Sequence, residues 1–147
     1  MKQENSEELA LVPEAKIQSR KGYMELVGLA SHELYHTLNV KRIRPSEWMP
    51  YNFEDACPSR LGYIAEGVTT YMGDLFLFES GCIDLKGWST LMESLLNRHL
   101  NNPGRQNLSV ADSSYDTWLD GYRLGGNGRK GSIYVEGEVL ALSHFHI

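Results

Sequence analysis

From Lys21 onward, apolar residues return every three or four positions. Leu26, Leu29, Ala30, Leu34 and Leu38 lie on one stripe of an amphipathic helix over about 22–40. The helix should stop before Pro45, because proline disfavours helical geometry in the residue ahead of it. Pro45, Pro50 and Pro58 mark 45–58 as a loop. A second helix is predicted over about 59–79, with Leu61, Ile64, Ala65, Val68, Tyr71, Met72, Leu75 and Phe76 as its buried side. A third fits 84–100, with Asp84 as N-cap and Leu85, Trp88, Leu91, Met92, Leu95 and Leu96 inward. Asn101-Asn102-Pro103-Gly104 breaks it. A short fourth helix fits 112–122, and Gly125-Gly126-Asn127-Gly128 reads as a loop. Ser132 caps a last helix carrying Val135, Val139, Leu140 and Leu142. Residues 1–20 are polar, contain Pro13 and read as an extended or irregular lead-in. Few segments alternate as strands do, so the predicted fold class is mainly α.

The 147 residues suit a single domain with a real hydrophobic core, so 1–147 is expected to be one unit. The net charge of −5 gives no reason to expect nucleic-acid binding. The basic run Lys41-Arg42-Ile43-Arg44 is short and reads as structural, placed beside acidic neighbours. No apolar run reaches the ~18–20 residues of a membrane span, and the polar start lacks a signal peptide's apolar segment, so no membrane partner is expected. Cys57 and Cys82 do not make a disulfide framework. Reduced, buried thiols are the default reading and fit a cytoplasmic location.

Against this ordinary background His32-Glu33-Leu34-Tyr35-His36 stands out. Residues four apart on a helix lie on the same face. His32 and His36 can therefore aim two imidazole nitrogens at one metal ion, with the Glu33 carboxylate beside them to take a proton from water. Such a set points to a metal-dependent hydrolase. A catalytic zinc site needs a third protein ligand. The candidate is Glu66, a carboxylate on the apolar side of the second helix, where it would be costly unpaired. A salt bridge to Lys41, Arg42 or Arg44 is the other way to satisfy it. Thr70, one turn beyond Glu66, could support a ligand histidine. Asn39 could do the same or simply end the first helix. His99 near a helix end is explained by the helix dipole, and His144 and His146 read as a terminal surface pair. Trp48, Trp88 and Trp118 read as core or cleft aromatics.

The stretch His32 to Pro45 resembles the zinc helix of the glycyl aminopeptidase family of gluzincin, thermolysin-like metallopeptidases. Ala65-Glu66-Gly67-Val68-Thr69-Thr70-Tyr71 resembles that family's glutamate-ligand helix. Pro103-Gly104-Arg105, Ser113-Ser114-Tyr115-Asp116-Thr117-Trp118 and Ser132-Ile133-Tyr134-Val135-Glu136-Gly137 resemble its later blocks, in the same order. The likeness covers about 22–142. It implies the helical half of a thermolysin-like catalytic domain, as a catalytic core from a longer multidomain protein. It implies one zinc ion held by His32, His36 and Glu66, and a peptide or protein substrate. Glu33 would be the general base on a zinc-activated water, and Tyr134 the donor to the developing oxyanion. Related enzymes carry lysine before the glycine where this chain has Glu136. They also line the cleft with an upstream Gly-Gly-Leu-Glu-His-like strand, of which the first residues here hold no convincing copy. An aminopeptidase-like activity is the leading expectation; the alternative is a non-catalytic zinc-binding or interaction module on the same scaffold. Glu33 separates the two, since a module that only binds zinc has no need of it.

Overall fold

The computed structural model describes residues 17–52, 54–120 and 128–145. Among them the structure is helical throughout its regular elements, with a single isolated bridge pairing Asn39 and Ile43 and no sheet. Helix α1 spans Arg20–His36, and Ser19 caps it by accepting a hydrogen bond from the Gly22 amide at 3.0 Å. It stops four residues earlier than the apolar spacing suggests. The Thr37 hydroxyl donates to the Leu34 carbonyl, and the backbone turns into the left-handed region at Val40, φ +87°. That geometry cannot continue a right-handed helix.

The predicted second helix has a different interior. After a turn at Arg60 and Leu61, a π-helical segment, Ile64–Val68, leads directly into α2, Thr69–Glu79. Helix α3 covers Leu85–Leu100, and the Asp84 side chain accepts from the Gly87 amide, as its capping role requires. Helix α4 is Val110–Asp120, and the rest of its predicted span lies outside the described residues. Helix α5 is Ile133–Phe145, preceded by Ser132. The predicted lead-in over 1–16, most of the glycine loop and His146 lie outside the described residues as well.

Helix α2 is the centre of the packing, against α1 on one side and α3 and α5 on others. Tyr71 and Leu95 are fully buried there, with Leu77, Ile133, Val135 and Ala141 around them. Tyr71 stacks on Phe145 and meets Trp88 edge-on. Two helix contacts are made through glycine. Gly73 faces the α1 backbone so closely that a Cβ there would lie 3.1 Å from the His32 Cα. Gly67 and Gly137 face each other, and a Cβ on Gly137 would lie 2.9 Å from Gly67 Cα and closer still to the Tyr63 carbonyl oxygen. Only hydrogen fits there.

These contacts explain where the predicted core was wrong. The face of α1 that packs on α2 is the Ser31, His32 face, so Leu34 and Leu38 of the apolar stripe are exposed. Leu61, Ile64 and Phe76, expected on the buried side of the second helix, are also exposed. Leu85, Leu96 and Leu140 turn outward too. Both cysteines are free thiols, yet neither is buried: Cys57 is half-buried and Cys82 exposed. Among the described residues, no helix is long and apolar enough to cross a membrane.

Candidate metal centre

Helix α1 and the π turn bring His32, His36 and Glu66 together. One donor atom from each lies within 4.8 Å of the others. Glu66 Oε2 is 3.2 Å from His32 Nε2 and 3.3 Å from His36 Nε2. The two rings meet edge to face, with centroids 4.7 Å apart. Glu66 pairs with these histidines rather than with the basic run. Arg44 instead lies 4.3 Å above the Tyr51 ring and donates to the Lys41 carbonyl.

The outer nitrogens settle which way the imidazoles face chemically. Thr70 Oγ1 donates its proton to the Glu66 carbonyl at 2.8 Å, so toward His32 Nδ1, 3.3 Å away, it acts as acceptor. His36 Nδ1 meets the Asn39 carbonyl oxygen at 3.2 Å, which can only accept. Both rings therefore carry their proton on Nδ1 when neutral, and both Nε2 lone pairs point at Glu66. Three lone-pair atoms converging in this way repel one another. A cation at their centre turns that repulsion into attraction, and two imidazoles with one carboxylate are a donor set that suits zinc.

Asn39 contributes twice, and not as its side chain alone suggested. Its carbonyl orients His36, while its buried Nδ2 donates to the Ile64 carbonyl and Thr69 Oγ1, both at 2.9 Å, and to the Ala65 carbonyl at 3.3 Å. Thr69 Oγ1 also donates to the Ala65 carbonyl. These bonds satisfy carbonyls around the wide turn and keep it from tightening into an α-helix. The later sequence blocks brace the same turn. Ser114 Oγ accepts from the Tyr63 amide at 2.9 Å and Gly137 supplies the close contact to Gly67, while Ser113 Oγ, accepting from the Gly131 amide, ties α4 to the approach to α5.

In the absence of a metal, protonation takes over part of the cation's role. Burial would raise Glu66, but hydrogen bonds from His32 and His36 and their charge outweigh it, pulling the carboxyl from 4.5 down to about 2. Burial would lower His36, but the hydrogen bond and charge of Glu66 outweigh it and hold His36 above its usual 6.5. A depressed acid contributes stability above its unfolded pKa and loses it as pH falls through the folded one. A raised histidine contributes below its unfolded pKa and loses it as pH rises through the folded one. The metal-free protein should therefore be most stable at about pH 5–6, with Glu66 contributing on the order of 2–3 kcal/mol that is lost toward pH 2. Thermal melts of chelator-treated protein check this; a midpoint climbing steadily from pH 6 to 9 would contradict it.

Around the cluster lies a cleft of about 1400 Å³, onto which Glu33, Thr70 and Tyr134 open together with the three donor residues. The Tyr134 ring is 6.1 Å from the His32 ring, centroid to centroid. Glu136 does not face the cleft: it is buried on another side of α5 and bonds His99 Nδ1 at 2.7 Å. The helix dipole is thus only part of what holds His99. Farther along the cleft wall is Asp74, whose carboxyl hydrogen bonds to that of Glu138. Burial raises Asp74 to about 6, and burial together with Asp74 raises Glu138 to about 8, so the two share a proton near neutrality. Sequence reasoning missed this pair; its only signal was an acid within each of two apolar helices. Of the aromatics, Trp88 packs in the core and Trp48 lines a cavity beside the cluster. His144 is exposed against Phe145.

A helical scaffold presenting two histidines and a glutamate in this way places the chain in the gluzincin metallopeptidase superfamily. The family model of the M61 glycyl aminopeptidases matches residues 25–140, and the chain belongs to that family. The fold resembles the crystal structure of an aminopeptidase N family protein from Idiomarina loihiensis, with a TM-score of 0.78 and 30% identity. That likeness covers 90% of this chain and 23% of the other, so the chain spans about a quarter of that relative's length. No curated protein matches it.

Proposed function

We propose that this chain is the metal-binding core of a zinc peptidase acting on peptide or protein substrates, with His32, His36 and Glu66 as the ligands. The observation that carries this reading is the convergence of three lone-pair donors whose histidines are each held from behind by an acceptor. Zinc bound there would supply Lewis acidity, polarising a peptide carbonyl and making water nucleophilic near neutral pH.

Glu33 follows His32 on α1 and opens on the same cleft. Its carboxylate takes the proton released by the attacking water and passes it to the departing amine. The Tyr134 hydroxyl, from the first turn of α5, donates to the carbonyl oxygen as negative charge builds on it. Aminopeptidase action in particular rests on the family's description and on that of the solved relative. Hydrolysis of glycyl and alanyl amides tests the reading. Activity should vanish with chelator and return with zinc. Zinc uptake without turnover would assign the chain the role of a zinc-bearing interaction module.

A further inference from the structure

Glu138 lies one turn beyond Tyr134 on α5, and Asp74 lies one turn beyond Thr70 on α2. The two carboxyls meet in a hydrogen bond between the helices. A carboxylate can only accept, so this bond requires one proton held between the pair. We propose that Glu138 is a positioning residue for Tyr134: the proton it shares with Asp74 ties α5 to α2, and loss of that proton shifts the first turn of α5 and takes the Tyr134 hydroxyl out of place. The proposal rests on the reading of Tyr134 as donor to the oxyanion, and it adds what holds that residue and how the hold is lost.

The setting gives Glu138 little else to bond. Its side chain is 1% exposed, and its Oε2 accepts no hydrogen bond among the described residues. Arg98 of α3 stands 3.8 Å from that oxygen, beyond hydrogen-bond reach, and is itself half-exposed on the cleft. The charges that reach Glu138 are those of Asp74 and Arg98, while His32 on α1 acts on Asp74. Other charged groups around α5 are engaged elsewhere. Glu66 of the π turn pairs with the two histidines and Glu136 with His99. On α4, Asp112 pairs with Arg60, and Asp116 with Arg129 and Lys130. Once the shared proton leaves, Glu138 is a buried anion beside a second anion, with one distant guanidinium to offset both. Helix α5 has no slack toward the π turn, because Gly137 is already in backbone contact with Gly67. A rotation or lift of its first turn remains, and Tyr134 is on that turn.

Melts of chelator-treated protein read the proton. A carboxyl raised in the folded state, here to about 8, holds its proton more tightly folded than unfolded, so stability falls as pH rises from the unfolded value toward the folded one. Glu138→Gln keeps the shape without the titration, so its Tm relative to wild type should gain about 5 °C or more between pH 5 and pH 8. Tyr134→4-fluorophenylalanine reads the position of residue 134 with a ring that does not titrate. Its fluorine resonance should pass through a transition near pH 8, which Glu138→Gln abolishes. Asp74→Asn keeps the burial and removes only the like charge, so there the midpoint should fall. In zinc-loaded protein, the kcat of Glu138→Gln relative to wild type should rise roughly tenfold from pH 7 to pH 9 with KM moving in parallel. That ratio should stay level when both proteins carry Tyr134→Phe. A Tm difference constant with pH overturns the shared proton. A fluorine transition indifferent to Glu138→Gln and Asp74→Asn overturns the positioning, as does a kcat ratio that stays level with Tyr134 present. Zinc-loaded protein that hydrolyses nothing overturns the peptidase reading alone, because the melting and fluorine measurements decide the tie between α2 and α5 without it.

Discussion

Glu33→Gln is expected to keep its zinc and to lose about two to four orders of magnitude in kcat. Glutamine has nearly the shape of glutamate and keeps a hydrogen-bonding oxygen, so the cleft wall and α1 should be unchanged. It cannot accept the proton that an attacking water must lose. Glu33 is not among the three donors that converge on the metal seat, so the metal content of the variant should equal that of wild type. Steady-state kinetics with metal analysis on the same sample separates the outcomes. Undiminished turnover would remove Glu33 as base, and lost zinc would mean that it ligates or supports the site.

The second large effect concerns folding. Gly137→Ala places a methyl group inside the contact radius of both the Tyr63 carbonyl and Gly67 Cα. Both are backbone atoms, so no side chain can swing aside. The helices must separate, and the turn that moves is the one carrying Glu66. Overpacking against backbone costs about 3 kcal/mol or more here, and zinc affinity should fall with stability. Gly28→Ala is the control, since a Cβ there meets nothing within 4 Å and alanine favours the helix. Denaturant melts of the two variants decide it: similar midpoints would mean that the α5 contact with the π turn is looser than described.

The contrast between those two glycines shows what was legible in the sequence. His32, Glu33 and His36 declare themselves because helical periodicity converts spacing directly into a shared face. Glu66 was legible as an acid on an apolar helix, and ordered blocks of resemblance strengthened it. What those blocks do was not legible. Ser114, Gly137 and Asn39 act on the Glu66 turn through contacts spanning many residues, which spacing does not encode. The π turn was hidden for the same reason, because side chains distant in sequence, Asn39 and Ser114, help to hold it. The apolar stripe of α1 misled because the packed face is the one bearing the histidines, and apolar periodicity assigns burial to the leucines instead. Tyr134 was found by resemblance and lies on the cleft, while the unusual Glu136 beside it is occupied by His99 on another face.

Zinc stoichiometry of wild type against Glu66→Ala bears most directly on the whole account. The alanine leaves two histidines on one helix turn, still oriented by Thr70 and Asn39 but with no carboxylate to complete the set. After dialysis against weak chelator, wild type should retain about one zinc per chain and Glu66→Ala close to none. Equal zinc content in the two proteins, or none in wild type, would contradict it.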